Sequence, residues 1–122
     1  MAGKIVADTL EHSTAGSVTT DYVVDGSAKV TIAADDAAVL FKSLNVSSGV
    51  DEGTGDYKYN LTNALITTTA ENCTAVCSLG YQTIIRVKTA DATTGVVDLQ
   101  SINTSASATN ANHAAALWGD LA

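Results

Sequence analysis

Side chains able to do chemistry are few in this chain and widely spread. His12 and His113 stand about a hundred residues apart. No Ser or Cys lies in a nucleophile-elbow context such as G-x-S-x-G, so neither histidine has a nucleophile to activate. Both read as ordinary polar residues. Asp51, Glu52 and Asp56 gather in DEGTGD and offer the hard oxygen ligands that Ca²⁺ takes, but the stretch lacks the EF-hand spacing and its closing bidentate Glu. A solvated acidic loop is the expectation. Sugar hydrolysis would require two carboxylates facing across a cleft, one with a raised pKa, and the pattern supplies neither.

Cys73 and Cys77 lie in NCTAVCSLG, with no second cysteine pair to complete a zinc site. On a strand, residues four apart share a face but sit ~13 Å apart at ~3.3 Å per residue. A disulfide needs Cα atoms within about 7 Å, so these two cannot bridge each other there. With Ala75 and Leu79 they are expected to form one apolar face as small buried hydrophobes. Asn-x-Ser/Thr triplets at Asn45, Asn60, Asn72 and Asn103 read as coincidence in a Ser/Thr-rich chain with no apparent signal peptide. The expected sets of catalytic, cofactor-binding and metal-binding residues are therefore empty.

The elements that would position any site are written in a β vocabulary. The 122 residues make one domain, 46% hydrophobic but rich in Ala and Val, with 16% charged residues and no proline. Branched residues suit a pleated, half-buried surface, and without proline the turns fall to Gly, Asn and Asp. A net charge of −7 with six basic residues spread along the chain offers no stripe for phosphates, so no nucleic-acid partner is expected. The same charge disfavours anionic membranes, and no apolar run of ~18 residues predicts membrane insertion. The chain is expected to be made and assembled in a cytoplasm.

Period-two patterning places the strands. Residues 4–10 (KIVADTL) read as an N-terminal strand or arm, followed by a polar break over 11–17. Residues 20–24 (TDYVV) read as a strand turned by Asp25-Gly26, and 28–33 follow with Val30 and Ile32 on one face. Residues 39–46 form the next strand, with Phe41 in the core. A hairpin follows, its loop spanning 47–55 and its return strand carrying Tyr57, Tyr59 and Leu61. Residues 64–72 are ambiguous between helix and extended chain. Strands are expected over 71–79, over 83–89 with Ile85 and Val87 inward, and over 96–102. Residues 103–112 read as loop and 113–121 as a closing strand. Strands at about ten-residue spacing with turns between them predict an all-β antiparallel sandwich of about 7–9 strands. An N-terminal extended arm occupies residues 1–18, and the sandwich residues 19–122.

The most distinctive wording is SLNVSSGVDEGTGDYKYNLT over 43–62. On Asn45-Val46-Ser47-Ser48, Gly53-Thr54-Gly55-Asp56-Tyr57 and Asn60-Leu61-Thr62 it resembles a small β-sandwich module of bacteriophage virion proteins, met in tail fibres and other structural proteins of marine phages. The match covers about residues 4–120. Tyr22 to Lys29 looks like the approach to the module's first core strand, where the family commonly shows a Trp and another aromatic and this chain has Val30-Thr31-Ile32-Ala33. The resemblance implies a non-enzymatic virion protein, assembled in the host cytoplasm and built as a homotrimer.

Because the chain has no repeat or shaft, a capsid decoration or cement protein is the first expectation, with the major capsid protein or tail proteins as partners. A tail-fibre or receptor-binding module recognising host surface glycans is the second, and a glycan-active enzyme the least favoured. Candidate interaction residues are Ile5, Ala7 and Thr9, as a docking arm rather than the sandwich's own first strand. Trp118 joins them as an aromatic anchor for a neighbouring subunit.

Overall fold

The structure, a computed structural model, describes residues 7–14, 16–20, 23, 26–67, 73–78, 83–88 and 92–122. Strands β1 (Thr9–His12) and β2 (Gly16–Thr19) make a two-stranded antiparallel ribbon. Eight further strands follow: β3 (Val30–Ala34), β4 (Leu40–Leu44), β5 (Val46–Gly53), β6 (Asp56–Leu61), β7 (Cys73–Ser78), β8 (Thr83–Val87), β9 (Val96–Asn103) and β10 (His113–Trp118). They form two four-stranded antiparallel sheets, ordered β4-β3-β10-β7 and β5-β6-β9-β8. The expected β-sandwich is what the chain builds. Neighbour order β5-β6-β9-β8 is that of the A-B-E-D sheet of immunoglobulin-type Greek keys, but here the strand flanking β10 is β3, which precedes the others in the chain.

Alternation puts one face of each sheet into a shared core. Val30, Ile32 and Ala34 of β3 alternate with half-buried Thr31 and Ala33, and Ala115 and Leu117 of β10 alternate with half-buried Ala114 and Ala116. From the other sheet come Tyr57, Tyr59, Val97 and Leu99, all fully buried, with Ile85 beside them. The inward placements of Val30, Ile32, Ile85 and Val87 hold, and the closing segment is a strand despite its alanines, because pairing on both sides with β3 and β7 outweighs intrinsic helix propensity.

Several expectations are corrected. Phe41 is 61% exposed, not core. The β3–β4 register shifts between Ala33 and Ala34, so Lys42 pairs Ala33, Leu40 pairs Ala34, and Phe41 is the extra residue of a bulge. Leu40 packs against the core instead. The expected loop over 47–55 is mostly strand: β5 runs to Gly53, and only Thr54 and Gly55 make the turn. Its Ser, Gly and acidic residues suit an edge strand, whose backbone is held by one partner and whose side chains face water. In β7, the core position is Val76, and Cys73, Ala75 and Cys77 occupy the alternate register positions opposite Trp118, Ala116 and Ala114. The expected core face of this strand is thus one residue out of phase with the observed core position.

Residues 39–46 are two strands rather than one. The chain leaves the first sheet after Leu44, turns at Asn45 with φ 59° and enters the second sheet at Val46. Asn tolerates this left-handed conformation better than most residues. Its side chain fixes the corner: Oδ1 accepts the Asn63 backbone N–H at 2.8 Å and Nδ2 donates to the Asn63 carbonyl at 2.9 Å.

The expected arm is also revised. Thr9 and Leu10 pair with Thr19 and Val18, and the Thr20 N–H donates to the Asp8 carbonyl. The supposed break over 11–17 therefore contains the end of one strand and the start of the next. The expected strand over 20–24 and its Asp25-Gly26 turn are also corrected: the described residues Thr20, Val23 and Gly26 are helical, and the rest of the segment lies outside the described residues.

Candidate interaction surface

Polar chemistry inside the sandwich is committed to its own construction. His113 of β10 is fully buried, stacked on Tyr57 with ring centroids 4.2 Å apart. Its Nδ1 lies 2.8 Å from the Ala111 carbonyl, which can only accept, so Nδ1 carries the proton. Nε2 is then the acceptor for the Tyr59 hydroxyl at 2.6 Å. The Ala111 N–H in turn donates to the Tyr57 hydroxyl oxygen. Burial lowers the His113 pKa below its ordinary value, against opposing contributions from the Ala111 hydrogen bond and Asp35. Burial likewise raises both tyrosines. His113 is thus a neutral structural residue rather than an incidental polar one.

The acidic residues of the central hairpin diverge. Asp51 Oδ1 accepts the Gly53 N–H, Glu52 pairs with Lys58, and Asp56 pairs with Lys88 at 3.4 Å while accepting from Gln100. Among the described residues no cluster of three metal-ligating side chains forms.

Two unlike surfaces remain. Cross-strand partners share a face, so the outer face of β5-β6-β9-β8 carries Asp56, Lys58, Arg86, Asp98 and Gln100, with exposed Val50 and Ile84 set singly among them. There Arg86 donates to Gln100, and fully buried Asp98 has the Lys88 ammonium 3.8 Å away. Charges on this side neutralise one another within the sheet. The outer face of β4-β3-β10-β7 carries Thr31, Ala33, Lys42, Leu44, Ala114, Ala116 and Trp118. Lys42 is its one charge among the described strand residues. Small side chains make this face flat, and exposed Val39, Phe41 and Leu44 border it along β4.

Of the residues expected to interact, Trp118 lies on this flat face, half-buried, its indole N–H donating to the Gly26 carbonyl at 3.0 Å. Thr9 is exposed on the ribbon opposite Thr19, and Ala7 precedes the ribbon half-buried. Ile5 lies outside the described residues. The structure does not bring Thr9 and Trp118 into a single site. It adds Leu44 and Phe41, the second of which the sequence pattern had assigned to the core.

An open groove of about 370 Å³ sits at the Asn45 corner, lined by Ala28, Lys29, Leu44, Asn45, Thr62, Asn63 and Leu121. No family model matches the sequence, and neither a curated protein nor a solved structure matches it.

Proposed function

We propose that this is a non-enzymatic virion structural protein, a decoration or cement protein that seats its flat sheet face on a neighbouring protein of the particle. The contrast between the two outer faces carries this reading. A sheet face whose charges are internally paired is suited to water, whereas a flat face of Ala and Thr bordered by exposed Val39, Phe41 and Leu44 is suited to burial. The virion setting rests on the wording of residues 43–62, and the reading needs no catalytic group. Co-sedimentation with undecorated particles tests it. Ala33→Arg or Ala114→Arg, in the middle of the flat face, should abolish retention, while Ile84→Arg on the opposite sheet should not. Equal retention of all three variants would refute the proposal.

The groove at the Asn45 corner favours a second reading, a module that recognises host glycans. Its volume lies within the range of about 300–1,000 Å³ usual for ligand sites, and Lys29, Asn45, Thr62 and Asn63 line it with polar groups. Binding on a glycan array that Leu44→Arg abolishes would select this reading over the first.

A further inference from the structure

The ribbon and the β4 edge are complementary in three respects. First, each has an open edge among the described residues. Among the described residues β1 and β2 pair only with one another, and an isolated two-stranded hairpin is marginal in water. Strand β4 ends its sheet, and among the described residues no strand pairs with its outer edge. Exposed sheet edges invite pairing with another chain unless they are covered or charged.

Second, both are apolar where they are exposed. Leu10 of the ribbon is 45% exposed, and Val39, Phe41 and Leu44 along β4 are each more than half exposed. Phe41 owes its outward position to the bulge, so the edge projects an aromatic ring rather than presenting a smooth strand.

Third, their charges are opposite. Residues 7–20 contain Asp8 and Glu11 and neither Lys nor Arg. Within β4 the only charge is Lys42, which is exposed and in no hydrogen bond or ion pair with another described residue.

We infer that the β1–β2 ribbon of one copy adds to the β4 edge of a second copy, extending its four-stranded sheet by strand addition. Main-chain hydrogen bonds carry the contact, Leu10 and Phe41 cover one another, and Glu11 or Asp8 meets Lys42. Donor and acceptor are different patches of the same chain, so the contact is heterologous and is satisfied throughout only when the copies close into a ring. The contact uses the edge of the sheet, leaving its flat face available, and holds whether or not the assembly sits on a virion.

Sedimentation velocity and native mass spectrometry of the purified protein test this. The wild type should be a closed multimer, and Leu10→Asp and Phe41→Asp should each be folded monomers. Mixed together, these two variants should form a 1:1 complex, since the intact ribbon of the second fits the intact edge of the first. Charge reversal supplies an independent arm: Glu11→Lys and Lys42→Glu should each weaken assembly at least tenfold, and the double reversal should recover it. A monomeric wild type, multimers that survive both apolar substitutions, or failure of the mixed variants to associate would each overturn the inference. A multimer that survives Leu10→Asp but not Phe41→Asp would also overturn it, and would point to a symmetric contact between two β4 edges.

Discussion

The Tyr59 hydroxyl donates to His113 Nε2 at 2.6 Å, joining β6 of one sheet to β10 of the other through the centre of the sandwich. With Tyr57 and Ala111 completing the set, this is a hydrogen-bonded polar tie within a mainly apolar core. Its geometry holds only while the imidazole is neutral, since a proton on Nε2 would remove the acceptor that Tyr59 needs.

A pH dependence follows. In the unfolded chain His113 takes up a proton near its ordinary value of 6.5, whereas burial lowers that value in the folded state. The unfolded chain therefore binds more protons below pH 6.5, and the His113 contribution is fully present above that pH and lost as pH falls through and below it. A tenfold difference in proton affinity between the two states is worth about 1.4 kcal/mol. Thermal unfolding between about pH 7 and pH 5 should show this decline. His113→Leu should flatten the slope while costing about 1–3 kcal/mol at neutral pH, because the Tyr59 hydroxyl and the Ala111 carbonyl lose their partner. An unchanged slope in that variant would dissociate His113 from the acid sensitivity.

A second expectation concerns two glycines, one at the β5–β6 turn and one within β5. A Cβ on Gly55 would collide with the Ser101 carbonyl and the Thr109 backbone, and its φ of 72° is strained for any L side chain. A Cβ on Gly49 would overlap the Ala38 carbonyl and press on the Tyr59 ring. Gly55→Ala and Gly49→Ala should each cost about 1–3 kcal/mol. Gly95, with open space around its Cβ position, is the control, and Gly95→Ala should lie within about 0.5 kcal/mol of wild type by denaturant unfolding.

Ser101 provides a change in the opposite direction. It faces the core opposite Ile85, is fully buried, and its hydroxyl has no hydrogen-bond partner among the described residues. Burying an unpaired hydroxyl costs roughly 1–3 kcal/mol in proteins. Ser101→Ala should therefore leave stability unchanged or raise it by about 1 kcal/mol. A loss of more than about 1 kcal/mol would show that the hydroxyl is bonded in solution.

These residues show what the sequence made legible. Val30 with Ile32, and Tyr57 with Tyr59, announce themselves because period-two alternation depends only on the strand they lie in. Phe41 does not, since a bulge is a property of two strands in register and cannot be read from either alone. The strand character of residues 47–53 was hidden for a related reason: an edge strand holds its shape through the partner backbone, not through its own residue types. His113 was opaque because its partners Tyr57 and Tyr59 lie more than fifty positions away. The flat face of Thr31, Ala33, Ala114 and Ala116 combines two strands far apart in the chain, so its smoothness appears only once β3 and β10 are paired.

Asn45 gives the last prediction, because two of its properties can be separated by substitution. Its φ of 59° is tolerated by Asn and costs Gly nothing, but it strains Ala. Its amide binds the Asn63 backbone on both the N–H and the carbonyl, locking the point where the chain passes from one sheet to the other. Asn45→Gly keeps the backbone angle and loses the amide bonds, so it should cost about 1 kcal/mol, the net worth of hydrogen bonds at an exposed site. Asn45→Ala loses both and should cost about 2–3 kcal/mol. Asn45→Asp keeps the acceptor for the Asn63 N–H but gives up the donor to the Asn63 carbonyl, and should fall below Asn45→Gly in cost. Chemical denaturation of the three variants checks the order Asp, Gly, Ala. If Asn45→Ala is as stable as Asn45→Gly, the left-handed angle carries no penalty and the corner is held by its hydrogen bonds alone.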